Sequence, residues 1–208
     1  MKIYKLSVGL LRANCYVAVG ERANECFIVD PGGDADRISE KIEESGAKPA
    51  AVLLTHGHFD HILAAKELRE RYEIPVYCAK QDFELLADPV KNLSAVYAEP
   101  AVIEADRTVS DGEKLKLCGL QLEVIATPGH SGGSVCYWLP KERVLFSGDT
   151  LFLESYGKVD DLSAAVRIRD SILERLFTLP DDTIVYPGHM DCTTIRHEKV
   201  YNPIYYTL

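Results

Sequence analysis

The stretch LLTHGHFDH, Leu53 to His61, places three histidines and an aspartate within six residues, directly behind an apolar run. Imidazole nitrogens and carboxylate oxygens are the donors with which proteins hold zinc or iron. In a segment still extended after a strand, His56 and His58 lie two apart and point to one side, where they could share one ion. Asp60 and His61 fall where a helix begins and project from its first turn toward a neighbouring point. The motif therefore offers two adjacent sites. Three further candidates stand in matching places: His130 behind LEVIATPG, Asp149 behind VLFSG and His189 behind TIVYPG. A glycine just before each lets the backbone turn tightly beneath the side chain. A lone histidine behind a strand is usually a satisfied hydrogen-bonding group, but five of the six histidines share this strand-end placement, and together they outweigh that reading. The sixth, His197 in TIRHEKVYN, reads as a surface or capping residue.

These side chains can meet only if the strands before them end at one edge, as in a sandwich or an α/β architecture. YKLSVGL, CYVAVG and CFIVD read as short strands. PGG then turns the chain, and Asp34 reads as the cap of a helix reaching Ser45. AAVLL is a buried strand, ILAAKELRERY has helical spacing and PVYCA is a strand, followed by helical stretches from Lys80 to about Tyr97. Residues 101–148 are strand-rich, with AVIE, KLKLCG, LQLEVIAT, GSVCYWL and RVLFSG. A helix from about Ser163 to Leu179, the strand TIVY and a helix from about Thr193 to Tyr201 complete the chain.

The 208 residues fit one domain, residues 1–208, since a globular chain of this size buries roughly 70% of its unfolded surface. No low-complexity linker or internal repeat divides it. A formal net charge of −9 argues against nucleic acid or an anionic membrane as partner and for a small-molecule substrate, and leaves the oligomeric state open. The N-terminal stretch lacks a signal-peptide core or membrane span, which points to the cytoplasm. The six cysteines form no Cys-x-x-Cys pair, and several lie in apolar runs, so they read as reduced, buried thiols.

His-x-His-x-Asp-His followed by separated His, Asp and His resembles the metallo-β-lactamase fold superfamily. GDTLF, LPDDTIVYPGH, TTI and EKVYNP are similar to its hydroxyacylglutathione hydrolase (glyoxalase II) branch, over essentially the whole chain. The resemblance implies an α/β fold, a four-layer αβ/βα sandwich with a binuclear site where the two sheets meet. It assigns His56, His58 and His130 to one metal, Asp60, His61 and His189 to the other, and Asp149 as the bridge. The ions would be two divalent cations, zinc first, with iron or manganese as alternatives. Asp30, ending CFIVD, matches the acidic position that supports the metal ligands from behind; its plainer reading is a turn aspartate before PGG.

Two such cations would turn a bridging water into hydroxide near neutral pH, and that hydroxide would attack a thioester carbonyl. Asp60 could also orient the water or move its proton. The expected activity is thus metal-dependent hydrolysis of the glyoxalase II-like thioesterase kind. The alternatives are a lactonase or β-lactamase, and an oxidoreductase resembling the persulfide dioxygenases, with one iron on the residues matching His56, His130 and Asp149. Departures from the family pattern bear on substrate. The C-terminal helical region that grips glutathione is absent here, which implies weak discrimination of the thiol half. The loop after Asp149 reads ESYGKVDDLS, with Lys158 where arginine is usual, and the loop after His189 reads MDCTT. Tyr156, Lys158, Met190 and Cys192 are the resulting candidates for substrate contact.

Overall fold

The computed structural model describes residues 1–20 and 24–206. Fourteen strands and seven helices are described. The strands are β1 (Lys2–Val8), β2 (Ala13–Val19), β3 (Glu25–Val29), β4 (Lys48–Leu53), β5 (Val76–Ala79), β6 (Arg107–Val109), β7 (Lys114–Leu117), β8 (Leu120–Ala126), β9 (Val135–Leu139), β10 (Val144–Gly148), β11 (Leu151–Phe152), β12 (Ser155–Tyr156), β13 (Ile184–Pro187) and β14 (Thr193–Thr194). The helices are α1 (Ala35–Ser45), α2 (Phe59–Ile62), α3 (Ala65–Tyr72), α4 (Phe83–Ala87), α5 (Ser94–Tyr97), α6 (Leu162–Asp170) and α7 (Ile195–Tyr201).

Two six-stranded sheets carry the fold, ordered β1-β2-β3-β4-β5-β6 and β14-β13-β10-β9-β8-β7. β3 through β6 run parallel to one another, and β10 is parallel to β13; β11 and β12 form a separate hairpin. Central strands buried on both faces read as unbroken apolar runs, because alternate side chains enter different layers. Cys26 and Ile28 of β3 pack toward α1 and α3, while Phe27 and Val29 pack between the sheets. In β10, Val144 and Phe146 enter that same inter-sheet core, and Leu145 packs on the opposite side with Ile168, Ile172 and Ile195. Three apolar clusters thus separate four layers, the αβ/βα sandwich expected. No described helix is long and apolar enough to cross a membrane.

Several local expectations are corrected. Asp34 sits in the left-handed region at φ 53° and makes no side-chain cap; its carboxylate instead accepts from Gly9 N and Arg37. The helical stretch from Lys80 is interrupted, because Pro89 cannot continue α4 and Leu93 turns at φ 70° before α5. AVIE forms no strand: Ile103 is buried, but its amide donates to Leu86 O, and the ladder beside β5 is taken by Arg107–Val109. The long helix after Leu162 widens into a π-turn over Ser171–Leu176, closed by Phe177 N donating to Ile172 O. The six thiols are free and five are buried, whereas Cys192 is exposed.

Candidate metal centre

β4 ends at Leu53 and the chain bends at Thr55 and His56 rather than running on extended; α2 then starts at Phe59 with His58 as its first boundary residue, extended at φ −72°, ψ 149°. The turn lifts Asp60 and His61 beside the two earlier rings. β8, β10 and β13 of the second sheet end nearby and supply His130, Asp149 and His189. The sheets are stitched at this edge: Tyr16 OH and Asn14 Nδ2 of β2 donate to Pro187 O at 2.6 and 2.9 Å, and Tyr137 OH of β9 donates to Leu54 O at 2.9 Å.

All seven sequence candidates converge there. Ligand-capable atoms of His56, His58 and His130 lie within 4.8 Å of one another, as do those of Asp60, His61 and His189. Asp149 faces both groups. Its Oδ2 is 3.6 Å from His130 Nε2 and 3.6 Å from His189 Nε2, and its Oδ1 is 3.4 Å from His61 Nε2. His197 stands apart, its Nε2 2.9 Å from Glu154, as the surface reading expected.

Asp30 lies behind the rings and fixes which nitrogen each presents. Its Oδ1 accepts from Thr55 N and its Oδ2 accepts from Thr55 Oγ1 at 2.6 Å. With its proton committed there, Thr55 Oγ1 can only accept at His56 Nδ1, 3.1 Å away. His61 Nδ1 is likewise 3.1 Å from Asp30 Oδ2. Both rings therefore hold a proton on Nδ1 and turn Nε2 into the site. A third cluster, Asp30 with His56 and His61, also has metal-ligand spacing, but the oxygens of Asp30 are already engaged by these donors. His130 is oriented in the same way, since its Nδ1 can only donate to the Lys158 carbonyl at 2.8 Å.

The donor set fits divalent cations on an observation independent of resemblance. His56 Nε2, His61 Nε2 and Asp149 Oδ1 are buried without a hydrogen-bond partner, and each such atom costs roughly 1–3 kcal/mol. Their placement in one cluster, facing one another, is that of ligands. Electrostatics agree. Burial pushes His56 well below the ordinary imidazole range, and burial followed by the neighbouring His130 pushes His58 down to about 3. Burial would lower His61 too, but Asp149, Asp60 and Asp30 outweigh it and push it up to about 10. Burial would raise Asp60, but His61 and His189 hold it below the usual carboxylate range. His56 and His58 are held as neutral imidazoles, while the carboxylates around His61 favour positive charge there.

Two glycines are required by contact. At Gly148, φ is +49° and a Cβ would lie 2.2 Å from Thr55 Oγ1. Gly188 has no positive φ; a Cβ there would lie 2.2 Å from Asp149 Oδ1 and 2.7 Å from His61 Cε1.

A cleft of about 350 Å³ opens over the cluster, lined besides the candidate ligands by the apolar Leu11, Phe59, Leu93 and Tyr97 and the charged Lys158 and Asp160. Of the four substrate candidates, Lys158 alone lines it. Tyr156 packs against the outer core with Leu151 and Ile168. Met190 and Cys192 are exposed; the Met190 carbonyl accepts from Lys5 Nζ and Asn14 Nδ2. The structure does not bring these three into this cleft: Tyr156 lies in the β11–β12 hairpin, and the loop after His189 is held by Lys5 of β1 and Asn14 of β2. Sequence reading also passed over Leu11, Leu93 and Tyr97, which carry no chemical signature, and Asp82, an ordinary helix-start acid by spacing.

Comparison with known proteins agrees with this geometry. The family model for the metallo-beta-lactamase superfamily matches residues 8–189. The chain is 38% identical to "Probable metallo-hydrolase YqgX" of Bacillus subtilis, covering 98% of this chain and 97% of that protein. It is 32% identical to hydroxyacylglutathione hydrolase GloC of Haemophilus influenzae, covering 98% and 97%. Among solved structures, the BLEG-1 B3 metallo-beta-lactamase superposes with a TM-score of 0.89 at 36% identity, covering 97% and 98%. TTHA1623 in a di-iron-bound form gives 0.82 at 31%, covering 96% and 98%. With the sandwich, the convergent histidines and aspartates and a family match across most of its length, the chain belongs to the metallo-β-lactamase superfamily and is a metal-dependent hydrolase.

Proposed function

We propose that the protein hydrolyses thioesters at a two-metal centre in which His56, His58 and His130 hold one ion, Asp60, His61 and His189 hold the other, and Asp149 is shared. Zinc is the first expectation, with iron or manganese as alternatives. The observation that carries the reading is the trio of unpartnered buried atoms, His56 Nε2, His61 Nε2 and Asp149 Oδ1, beneath a cleft open to a small molecule. Similarity to a hydroxyacylglutathione hydrolase supports the thioester, and the di-iron relative supports two ions.

When bound, divalent ions supply a water acidic enough to ionise near neutral pH and a Lewis acid for the carbonyl oxygen. The remaining work belongs to the chain. Asp30 and Thr55 hold two imidazoles in the Nε2-facing form. Asp60, 7% exposed and kept ionised by His61 and His189, can orient a water placed in the cleft by accepting a hydrogen bond from it. Hydrolysis joins that water's oxygen to the carbonyl carbon and breaks the C–S bond, with the departing sulfur taking up a proton. No side-chain nucleophile is needed, and no cysteine lines the cleft among the described residues.

The cleft's composition bears on substrate. Lys158 and Asp160 oppose each other in sign, so they offer little net charge for a thiol half carrying two carboxylates, as glutathione does. Leu11, Phe59, Leu93 and Tyr97 reward apolar contact. A compact thioester should compete well with S-lactoylglutathione, because contacts the cleft does not make cannot lower the transition state. Lys158→Ala should lower the specificity constant for an anionic thioester relative to a matched neutral one by about fivefold, the scale of an exposed ion pair. An unchanged ratio would remove Lys158 from the substrate site.

The whole reading is tested by elemental analysis of protein purified without added metal, followed by a thioester, lactone and persulfide panel. About two ions per chain and preferential thioester turnover are expected from the shared ligand set. One iron per chain with oxygen uptake on a persulfide would establish the oxidoreductase instead, and preferential ring opening would establish a lactonase.

A further inference from the structure

Asp82, at the end of a 3-10 turn over Lys80–Asp82 that follows β5, is fully buried and none of the ligands assigned above. Its Oδ2 accepts from Gly57 N at 2.9 Å and from Ser131 Oγ at 2.7 Å, and its Oδ1 accepts from Gly133 N at 2.6 Å. Gly57 lies between His56 and His58, in the loop leaving the first sheet. Ser131 and Gly133 lie just after His130, in the loop between β8 and β9 of the second sheet. One carboxylate therefore joins two loops from different sheets, and those loops carry three of the seven candidate ligands. Between these two loops, His58 Nδ1 and His130 Nε2 approach to 2.9 Å.

The surroundings are fitted to this carboxylate. A Cβ on Gly133 would sit 2.6 Å from Asp82 Oδ1, so the close approach depends on glycine. Ser131 Oγ lies 2.8 Å from Ser134 Oγ, which accepts from Ser131 N, and the hydroxyl pair folds the loop back onto Asp82. No lysine or arginine forms a salt bridge with Asp82 among the described residues. A buried carboxylate without a counter-charge is expensive, and two loops could be joined more cheaply by backbone hydrogen bonds. What the carboxylate adds is a fixed, three-donor junction that sets the spacing of rings from opposite sheets to within tenths of an ångström, the tolerance a metal imposes.

We infer that Asp82 is a positioning residue that sets the metal affinity of the His56, His58 and His130 group by clasping the two loops that carry it. It acts through Gly57, Ser131 and Gly133 and touches neither substrate nor ion. The inference rests on the metal centre proposed above but not on thioester chemistry.

The test is Co(II) binding, followed by its visible spectrum and by competition with a chelator, in wild type, Asp82→Asn and Ser131→Ala. Asparagine keeps the shape of Asp82 but puts an NH2 or a single acceptor where three donors converge. It should weaken the His56, His58 and His130 group by about 10- to 100-fold, the range for partners behind a metal ligand. The Asp60, His61 and His189 group should change by less than about threefold. Ser131→Ala removes one donor and should weaken the same group by a smaller factor, and it carries the test if Asp82→Asn does not fold. The double variant should show less than the sum of the two losses, because the residues share one bond. Unchanged Co(II) affinity with a lowered melting temperature would make Asp82 a fold-stabilising residue only and overturn the inference, as would equal weakening of both groups. If wild-type protein bound no Co(II) at all, the metal centre itself would fall, which separates the two failures.

Discussion

Asp149→Ala should lose most of both metal ions and all measurable turnover. Asp149 is the one candidate ligand whose oxygens face both groups, with His130 and His189 each 3.6 Å from Oδ2 and His61 3.4 Å from Oδ1. Removing it opens both coordination sets at once and leaves His61 with one carboxylate fewer to balance its charge. Gly188, which faces Oδ1, has no side chain to fill the gap. A loss of at least about a thousandfold in kcat/KM is expected, as for removal of a shared ligand on which the reacting water depends. Elemental analysis and turnover on the best thioester check it together. Full metal occupancy in the variant would sink the shared-ligand assignment, whereas loss of one ion alone would place Asp149 in a single group.

In metal-stripped protein, His61→Ala should be far more destabilising than His56→Ala. His61 is enclosed by Asp30 at 3.1 Å, Asp149 at 3.4 Å and Asp60 at 3.5 Å, and without metal its imidazolium is the cation that offsets them. Deleting one partner of a buried charged cluster costs about 3–5 kcal/mol. His56 has no ion pair with a carboxylate and is held neutral by burial, so its loss costs packing and one neutral hydrogen bond to Thr55 Oγ1. The pH dependence carries a sign. His61 is raised above the unfolded value of about 6.5, so its contribution is fully present below that pH and is lost as pH rises through about 10. Urea unfolding of metal-free wild type should therefore weaken across that window, and His61→Ala should weaken less, keeping only the loss near the top of the window that the buried thiols of Cys26, Cys78 and Cys118 cause in both proteins. Equal destabilisation by the two substitutions, or a wild-type profile that rises with pH across the window, would show that His61 is not the charge centre of the cluster.

The candidate ligands were legible in the sequence because strand and helix starts are set locally. An apolar run that ends in Thr-His-Gly-His brings two rings together at the strand's end, through a bend at Thr55 and His56 rather than an extended chain, and a helix beginning at Phe59 turns Asp60 and His61 beside them; neither needs a distant partner. The same holds for the apolar runs of β2, β3, β9 and β10, whose burial on both faces marks strands covered from two sides. AVIE has a strand-like composition too, yet strand formation needs a free ladder, and the edge of β5 pairs with Arg107–Val109 instead. The interrupted helix after Lys80 had a local cause in Pro89, but the turn at Leu93 did not announce itself.

Only the tertiary structure decided which groups meet from opposite sheets. Tyr156, Met190 and Cys192 share their loops with Lys158 and His189 and differ only in direction, which is fixed by the hairpin of β11 and β12 and by the pull of Asn14 and Lys5 on the Met190 carbonyl. Asp30 was identified by its place at the end of CFIVD, but its work, fixing two imidazoles through Thr55 and His61 Nδ1, depends on contacts across β3 and β4. Asp82 is the extreme case. Its partners Gly57 and Ser131 are 25 and 49 residues away, and no periodicity relates them. Residue type and spacing along one chain determine what a loop can offer to a metal; the closing of two sheets over a shared core determines which loops face each other, and so which carboxylate becomes the clasp between them.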